Sequence, residues 1–219
     1  YVANDEFRVK GKLIRLPVVG CVRMREALRF EGKLMGAVVS RTADKWFVSI
    51  QVDIEKYQKP RISDKQMAID LGVNHLATGF DGVSTWKVTG PKPMKRLLGK
   101  LVRLSKHISR KQKGSCNRKK AVARLARLHA RIADARLDAL HKLTTRLCRE
   151  NQTVMIEDLN VRGMVRNHRL ARAISDMGLG EFRRQLEYKS PIYGTELKLA
   201  DRWYPSTKTC SNCGTVKES

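Results

Sequence analysis

Two short apolar runs with strand-like spacing, residues 67–73 (MAIDLGV) and 153–160 (TVMIEDLN), flank a long stretch whose apolar residues recur every three to four positions. This switch of hydrophobic period, from two to 3.6 and back, is what most constrains the fold. The first run continues into residues 76–80, a turn at Asp81-Gly82 and a third strand near 84–88, a hairpin signal. Pro91 and Pro93 then introduce a helix from about 94 to 112, with Leu97, Leu101, Leu104 and Ile108 on one face. Gly114-Ser115 breaks it, and a longer helix runs to about 150 with Leu125, Leu128, Ile132, Leu143 and Leu147 in helical spacing. Two long helices around a short break fold back as an antiparallel hairpin. A strand (153–159), a helix (174–188) and a strand (195–200) follow, and that order describes an α/β fold with a mixed sheet.

Each acid-bearing run places one carboxylate, Asp70 or Glu157, among apolar neighbours, where a charge is costly unless it is paired or holds a cation. If the two strands are parallel neighbours joined by the helical crossover, they lie about 4.8 Å apart. Inward carboxylates from both could then share divalent ions, the arrangement that activates water and stabilises the leaving oxygen in phosphodiester hydrolysis. Spacing alone leaves a second reading open, in which each acid sits at a strand end, solvated or salt-bridged. Asp158 points to the opposite face by strand alternation and is expected to be structural, capping or pairing with a basic residue.

The charge distribution names a partner for such a site. The chain has 45 Lys and Arg against 21 Asp and Glu, a formal net charge of +24, which reads as a nucleic-acid or anionic-membrane partner. Sixteen of those basic residues fall between 82 and 133, where no acidic residue occurs. A solvated helix face is usually of mixed sign, whereas a single-sign stripe suits a phosphate backbone. Arg110, Lys111, Lys113, Arg118, Lys119 and Lys120 cluster around the helical turn. Arg124, Arg127 and Arg131 continue along the second helix at spacings of three and four. These nine are the candidate nucleic-acid contacts, to phosphates more than to base edges. No apolar run of about 18 residues occurs, which excludes a membrane-spanning helix. Five cysteines with no disulfide-scaffold pattern point to a reducing cytoplasm.

Residues 1–58 read as β. Trp46, Val48, Ile50, Val52 and Ile54 alternate with polar residues, residues 34–40 supply a second strand, and 41–45 the turn between them. Shorter strands at 12–16 and 21–25 complete part of a small barrel or antiparallel sheet. Residues 59–66, with Pro60 and Ser63, read as a linker.

The strand order with an acid in the first and fourth strands resembles that of the RNase H-like fold. Residues 67–82 (MAIDLGVNHLATGFDG) and 154–164 (VMIEDLNVRGM) resemble the first and second RuvC motifs of the TnpB (OrfB) proteins of insertion-sequence transposons, relatives of the type V CRISPR effectors. Three further segments agree in order: GSCNRKKAVARLARLHARIADAR, ISDMGLGEFRRQLEYKS and ADRWYPSTKTCSNCG. The stretch VSRTADKWFVSIQVD resembles the end of the family's wedge barrel. The resemblance implies a partial wedge at 1–58, a RuvC-like nuclease domain at 67–202 with the basic hairpin at 94–150 inserted, and half a zinc ribbon at 203–219. It also implies a transposon-associated, RNA-guided DNA endonuclease, with a guide RNA from the transposon end and target DNA as partners. Asp70 and Glu157 match the family's catalytic ligands of Mg²⁺ (or Mn²⁺).

The family's third acid lies beyond its zinc ribbon, and its N-terminal recognition region precedes the wedge. The chain is therefore expected to be truncated at both ends and, as it stands, a poor nuclease. A nuclease-incompetent or repressor-like binder of guide RNA and DNA is the alternative. Cys210 and Cys213 form a CxxC knuckle able to give two thiolates to Zn²⁺; redox motifs share that spacing. The family completes its ribbon with a second CxxC, so half a site is expected here. His75, His107, His129, His141 and His168 show no metal spacing with each other.

Overall fold

The computed structural model describes residues 2–3, 6–54 and 64–201. Two units divide the chain, one drawing on residues 1–58 and 103–130 and the other on 59–102 and 131–219.

In the first unit, β1 (Val2–Ala3), β5 (Lys33–Thr42) and β6 (Lys45–Asp53) form an antiparallel sheet in the order β1-β5-β6. A second antiparallel sheet contains β2 (Arg8–Lys10), β3 (Leu13–Leu16) and β4 (Gly20–Arg23). Their small core is Phe7, Ile14 and Ala37, with Val48 and Ile50 packed against it. The expected alternation on β6 holds from Val48 onward. Trp46 departs from it: its side chain is exposed and lies 5.4 Å beneath the Arg41 guanidinium, its cross-strand neighbour. The connection between β5 and β6 is shorter than 41–45. Thr42 pairs with Lys45, so only Ala43 and Asp44 turn the chain, with Ala43 at φ 55°.

The second unit is a mixed sheet covered by helices on one face. Its strands are β7 (Gln66–Leu71), β8 (Ala77–Phe80), β9 (Thr85–Val88), β10 (Thr153–Glu157) and β11 (Glu196–Ala200), in the order β11-β10-β7-β8-β9. β7, β8 and β9 are an antiparallel meander, while β10 runs parallel to both β7 and β11. Four residues separate β8 from β9. Asp81 organises them by accepting the Val83 and Ser84 amides at 3.0 and 2.7 Å and the Ser84 hydroxyl at 3.0 Å. Those donors hold its carboxyl below the ordinary range. Gly79 is required on β8, because a Cβ there would run into the Trp86 indole.

The helices are α1 (Pro93–Ser109), α2 (Cys116–Glu150), α3 (Val161–Arg166), α4 (Ala171–Met177) and α5 (Leu179–Tyr193). The single helix expected at 174–188 is two. Gly178, at φ 73°, ends α4 and opens α5, and a Cβ there would crowd Arg136 at 2.9 Å. Leu140 and Leu147 of α2, Ile174 and Met177 of α4, and Phe182 and Leu186 of α5 bury themselves with Ile69, Leu71, Val154 and Ile156 of the sheet. Truncating one such residue costs about 2–5 kcal/mol.

α1 has no acidic residue in its first turn; its cap comes from α4. Asp176 is 2% exposed, and its carboxylate accepts the Met94 and Lys95 amides, both at 2.9 Å. Arg136 of α2 pairs with the same carboxylate at 3.6 Å and donates to the Asp176 carbonyl at 3.2 Å. One buried acid therefore joins the start of α1, the middle of α2 and the end of α4.

Candidate functional site

Alternation on β7 sends Ile69 and Leu71 into the core and leaves Ala68 and Asp70 on the uncovered face. On β10, Val154 and Ile156 go inward, and Met155 and Glu157 face the same open side as Asp70. The parallel ladder pairs Thr153 with Gln66 through to Ile156 with Ile69. The next step on each strand sets Glu157 alongside Asp70, about 5 Å away at the backbone.

The expectation of inward carboxylates is thus corrected. Asp70 is exposed and Glu157 half-buried, because the apolar neighbours that suggested burial occupy the other face of the same strands. Both acids do stand near strand ends, with Asp70 exposed, as in the second reading; the register places those two ends side by side. Partial burial, and then the charge of Asp70, hold the Glu157 carboxyl above its ordinary value.

Two residues that sequence reasoning did not single out share this row. Asp70 pairs across β7–β8 with Thr78, and Thr78 across β8–β9 with Lys87. The hairpin signal at Asp81-Gly82 was the clue, but the connection has four residues, and a two-residue turn would have set Thr78 opposite Thr85 instead of Lys87. One step along, Phe80 and Met155 flank Ala68 on the same face, 48% and 41% exposed. Asp158 pairs with Arg183, whose guanidinium also meets Glu187 at 2.8 Å. Among the described residues no group of three or more His, Cys, Asp or Glu could hold a metal ion.

Lys119 and Lys120 at the start of α2, and Arg124, Arg127 and Arg131 further along it, are exposed on the helix surface. Arg110 and Lys113 are exposed in the turn, and Lys111 there is half-buried. Arg127 meets Asp44 at 3.4 Å. Arg118 instead serves the hairpin itself. Its guanidinium donates to the Ile108 and Lys111 carbonyls at 2.7 and 3.3 Å, capping α1. All five histidines are exposed. Cys210 and Cys213 lie outside the described residues. None of the helices among the described residues is long and apolar enough to cross a membrane.

Residues 49–168 match the family OrfB_IS605, described as "Probable transposase", and residues 180–219 match "Cas12f1-like, TNB domain". A protein of Streptomyces pristinaespiralis named "Putative RNA-guided DNA endonuclease" is 49% identical over 175 residues, covering 80% of this chain and 42% of that protein. Two proteins of the same description are Rv2885c of Mycobacterium tuberculosis and InsQ of Escherichia coli K12. Rv2885c is 35% identical over 94% of this chain and 48% of its own length. InsQ is 34% identical over 99% of this chain and 59% of its own length. The chain therefore spans about half the length of the curated relatives it matches. Among solved structures, the Cas12f1 chain of a Cas12f1–sgRNA–target DNA complex superposes with a TM-score of 0.58 at 17% identity, over 84% of this chain and 39% of that one. That likeness extends to the fold of the mixed sheet and its helices.

Proposed function

Because the chain belongs to the OrfB (TnpB) transposase family, we propose that it carries the RuvC-type hydrolytic centre of an RNA-guided DNA endonuclease. The observation that supports this most is the placement of Glu157 beside Asp70 on the open face of the sheet. Two carboxylates on adjacent parallel strands are hard oxygen donors that repel one another, a set suited to Mg²⁺ or Mn²⁺. When bound there, such an ion activates water and stabilises charge on the leaving oxygen.

The chain's own residues orient the strand to be cut. Lys87 stands two strands from Asp70, about 10 Å at the backbone, within a lysine's reach of a phosphate resting on the acid pair. Phe80 and Met155 give the neighbouring row an apolar surface against which a base can lie. The exposed cations of the α1–α2 turn and the outer stripe of α2 hold nucleic-acid phosphates, in keeping with a helix of 35 residues, about 50 Å long. In this reading residues 2–54 belong to a wedge-like barrel. Cys210 and Cys213 supply two thiolates of a zinc ribbon within the segment that matches the Cas12f1-like TNB domain.

The test is Mg²⁺-dependent cleavage of target DNA by the full-length protein containing this chain, loaded with its guide RNA. Asp70→Ala and Glu157→Gln each lower the rate by roughly a thousandfold or more and leave guide-RNA affinity unchanged. Undiminished cleavage by both variants would refute the assignment.

A further inference from the structure

A second cleft opens at the other end of the sheet. It lies between the last turn of α2 and the start of β7 with the β8–β9 hairpin, and encloses about 720 Å³, within the range of small-molecule sites. It is distinct from the acid pair. Lys65 precedes β7 and Asn151 precedes β10, whereas Asp70 and Glu157 stand near the far ends of those strands, about 10–20 Å further along.

Its walls have a definite chemistry. Met67, Val88 and Leu147 make an apolar floor, and Lys65, Arg146 and Arg149 bring positive charge to the walls. Among the described residues no carboxylate forms an ion pair with any of these three cations. Asp81 and Glu150 also line the cleft; the Asp81 oxygens are taken by the Val83 and Ser84 donors, and Glu150 is engaged in an interaction of its own. Arg146 is held in place, its guanidinium 5.4 Å from the centre of the Trp86 ring, which is itself seated over Gly79. A guanidinium steadied on an indole keeps its N–H groups for phosphate and its plane for stacking a base.

The cleft also carries an acceptor. Asn151, 2% exposed, donates its amide to the Leu147 carbonyl at 2.9 Å, and its side-chain oxygen accepts no hydrogen bond in the structure. A DNA sugar–phosphate backbone offers only acceptors, whereas the ribose 2′-OH also donates. Cations beside an unmet acceptor therefore favour RNA.

We propose that this cleft binds a nucleotide of single-stranded RNA, with its flanking phosphates on Lys65, Arg146 and Arg149 and its base over the apolar floor. The inference rests on the nucleic-acid reading above and adds to it a contact site remote from the acids.

The test measures fluorescein-labelled decauridylate and decathymidylate binding to the full chain by anisotropy across a salt series, in Arg146→Ala/Arg149→Ala and in Lys119→Ala/Lys120→Ala. The cleft variant is expected to lose at least tenfold in RNA affinity and to lower the salt slope by about 1.4, the value for two phosphate contacts on a single strand. Arg149→Glu, which leaves the Arg146–Trp86 contact intact, should show the same direction of change. A 4-thiouridine crosslink should map to the peptide containing Met67 or Leu147. Decathymidylate should bind the unsubstituted chain at least tenfold more weakly. RNA affinity unchanged in both cleft variants, but abolished in the lysine variant, overturns the cleft and leaves the nucleic-acid reading standing. Equal affinity for both oligonucleotides overturns the choice of RNA. No binding of either by the unsubstituted chain overturns both readings.

Discussion

Glu157 stands beside Asp70 across the β7–β10 ladder, and partial burial together with the neighbouring charge makes its ionised form less favourable than usual. The pair thus weakens the metal-free fold it belongs to. Glu157→Gln should stabilise the chain in EDTA, by up to about 1 kcal/mol given its solvent screening. The unsubstituted chain should gain stability on addition of Mg²⁺ and the variant should not. Thermal melts with and without Mg²⁺ test both halves.

Asp176 is the acid whose loss should harm the fold most. Asp176→Ala leaves the Met94 and Lys95 amides without their acceptor and Arg136 without its carboxylate, though not without the Asp176 carbonyl. A loss of about 2–4 kcal/mol is expected in urea denaturation. Asp176→Asn keeps one side-chain oxygen and should recover part of it.

Lys189 is 6% exposed, and its ammonium donates to the Thr144 and Thr145 hydroxyls at 2.7 and 2.9 Å and to the His141 carbonyl at 3.1 Å. Burial pushes its pKa down. Between that lowered value and its ordinary one, the unfolded chain binds more protons than the folded one, so this residue makes stability rise with pH across the window. Lys189→Met should flatten that rise while keeping the packing volume. Denaturation measured from about pH 7 to 10.5 in both proteins compares the slopes.

Arg118 and its neighbours Lys119 and Lys120 should separate cleanly. Arg118→Ala removes the cap on the Ile108 and Lys111 carbonyls and should cost about 1–2 kcal/mol of stability. Lys119→Ala/Lys120→Ala should leave the melting temperature unchanged and lower the salt slope of nucleic-acid binding by about 0.7 for each phosphate no longer neutralised. Melts and anisotropy titrations on the same preparations distinguish the two.

Local periodicity made most elements legible, and sequence separation hid most of the rest. The helices expected at 94–112 and from 115 to about 150 are α1 and α2, because Pro93 and Gly114 punctuate them and leucines mark their buried faces. The break inside 174–188 was hidden because the apolar repeat continues through Gly178, and only the left-handed backbone there divides it. The short helix α3 has no fully buried residue and hence no apolar stripe to announce it. Nothing local marks Asp176, since its partners Met94 and Lys95 are more than 80 residues away in sequence. Asp70 and Glu157 were found, but their side of the sheet was misjudged. Apolar flanks report the covered face of a strand and not the direction of the residue between them. The knuckle at Cys210 and Cys213 lies outside the described residues.

The four ladder pairs from Thr153–Gln66 to Ile156–Ile69 have an evolutionary consequence. They alone set the spacing of the two acids, so the far end of the crossover that joins their strands is under no geometric obligation to the centre it serves. Lengthening, shortening or recharging the chain around Gly114-Ser115 would leave these pairs, and the acids one step beyond them, in register. The hairpin tip can therefore change in size and sequence without moving the two acids apart.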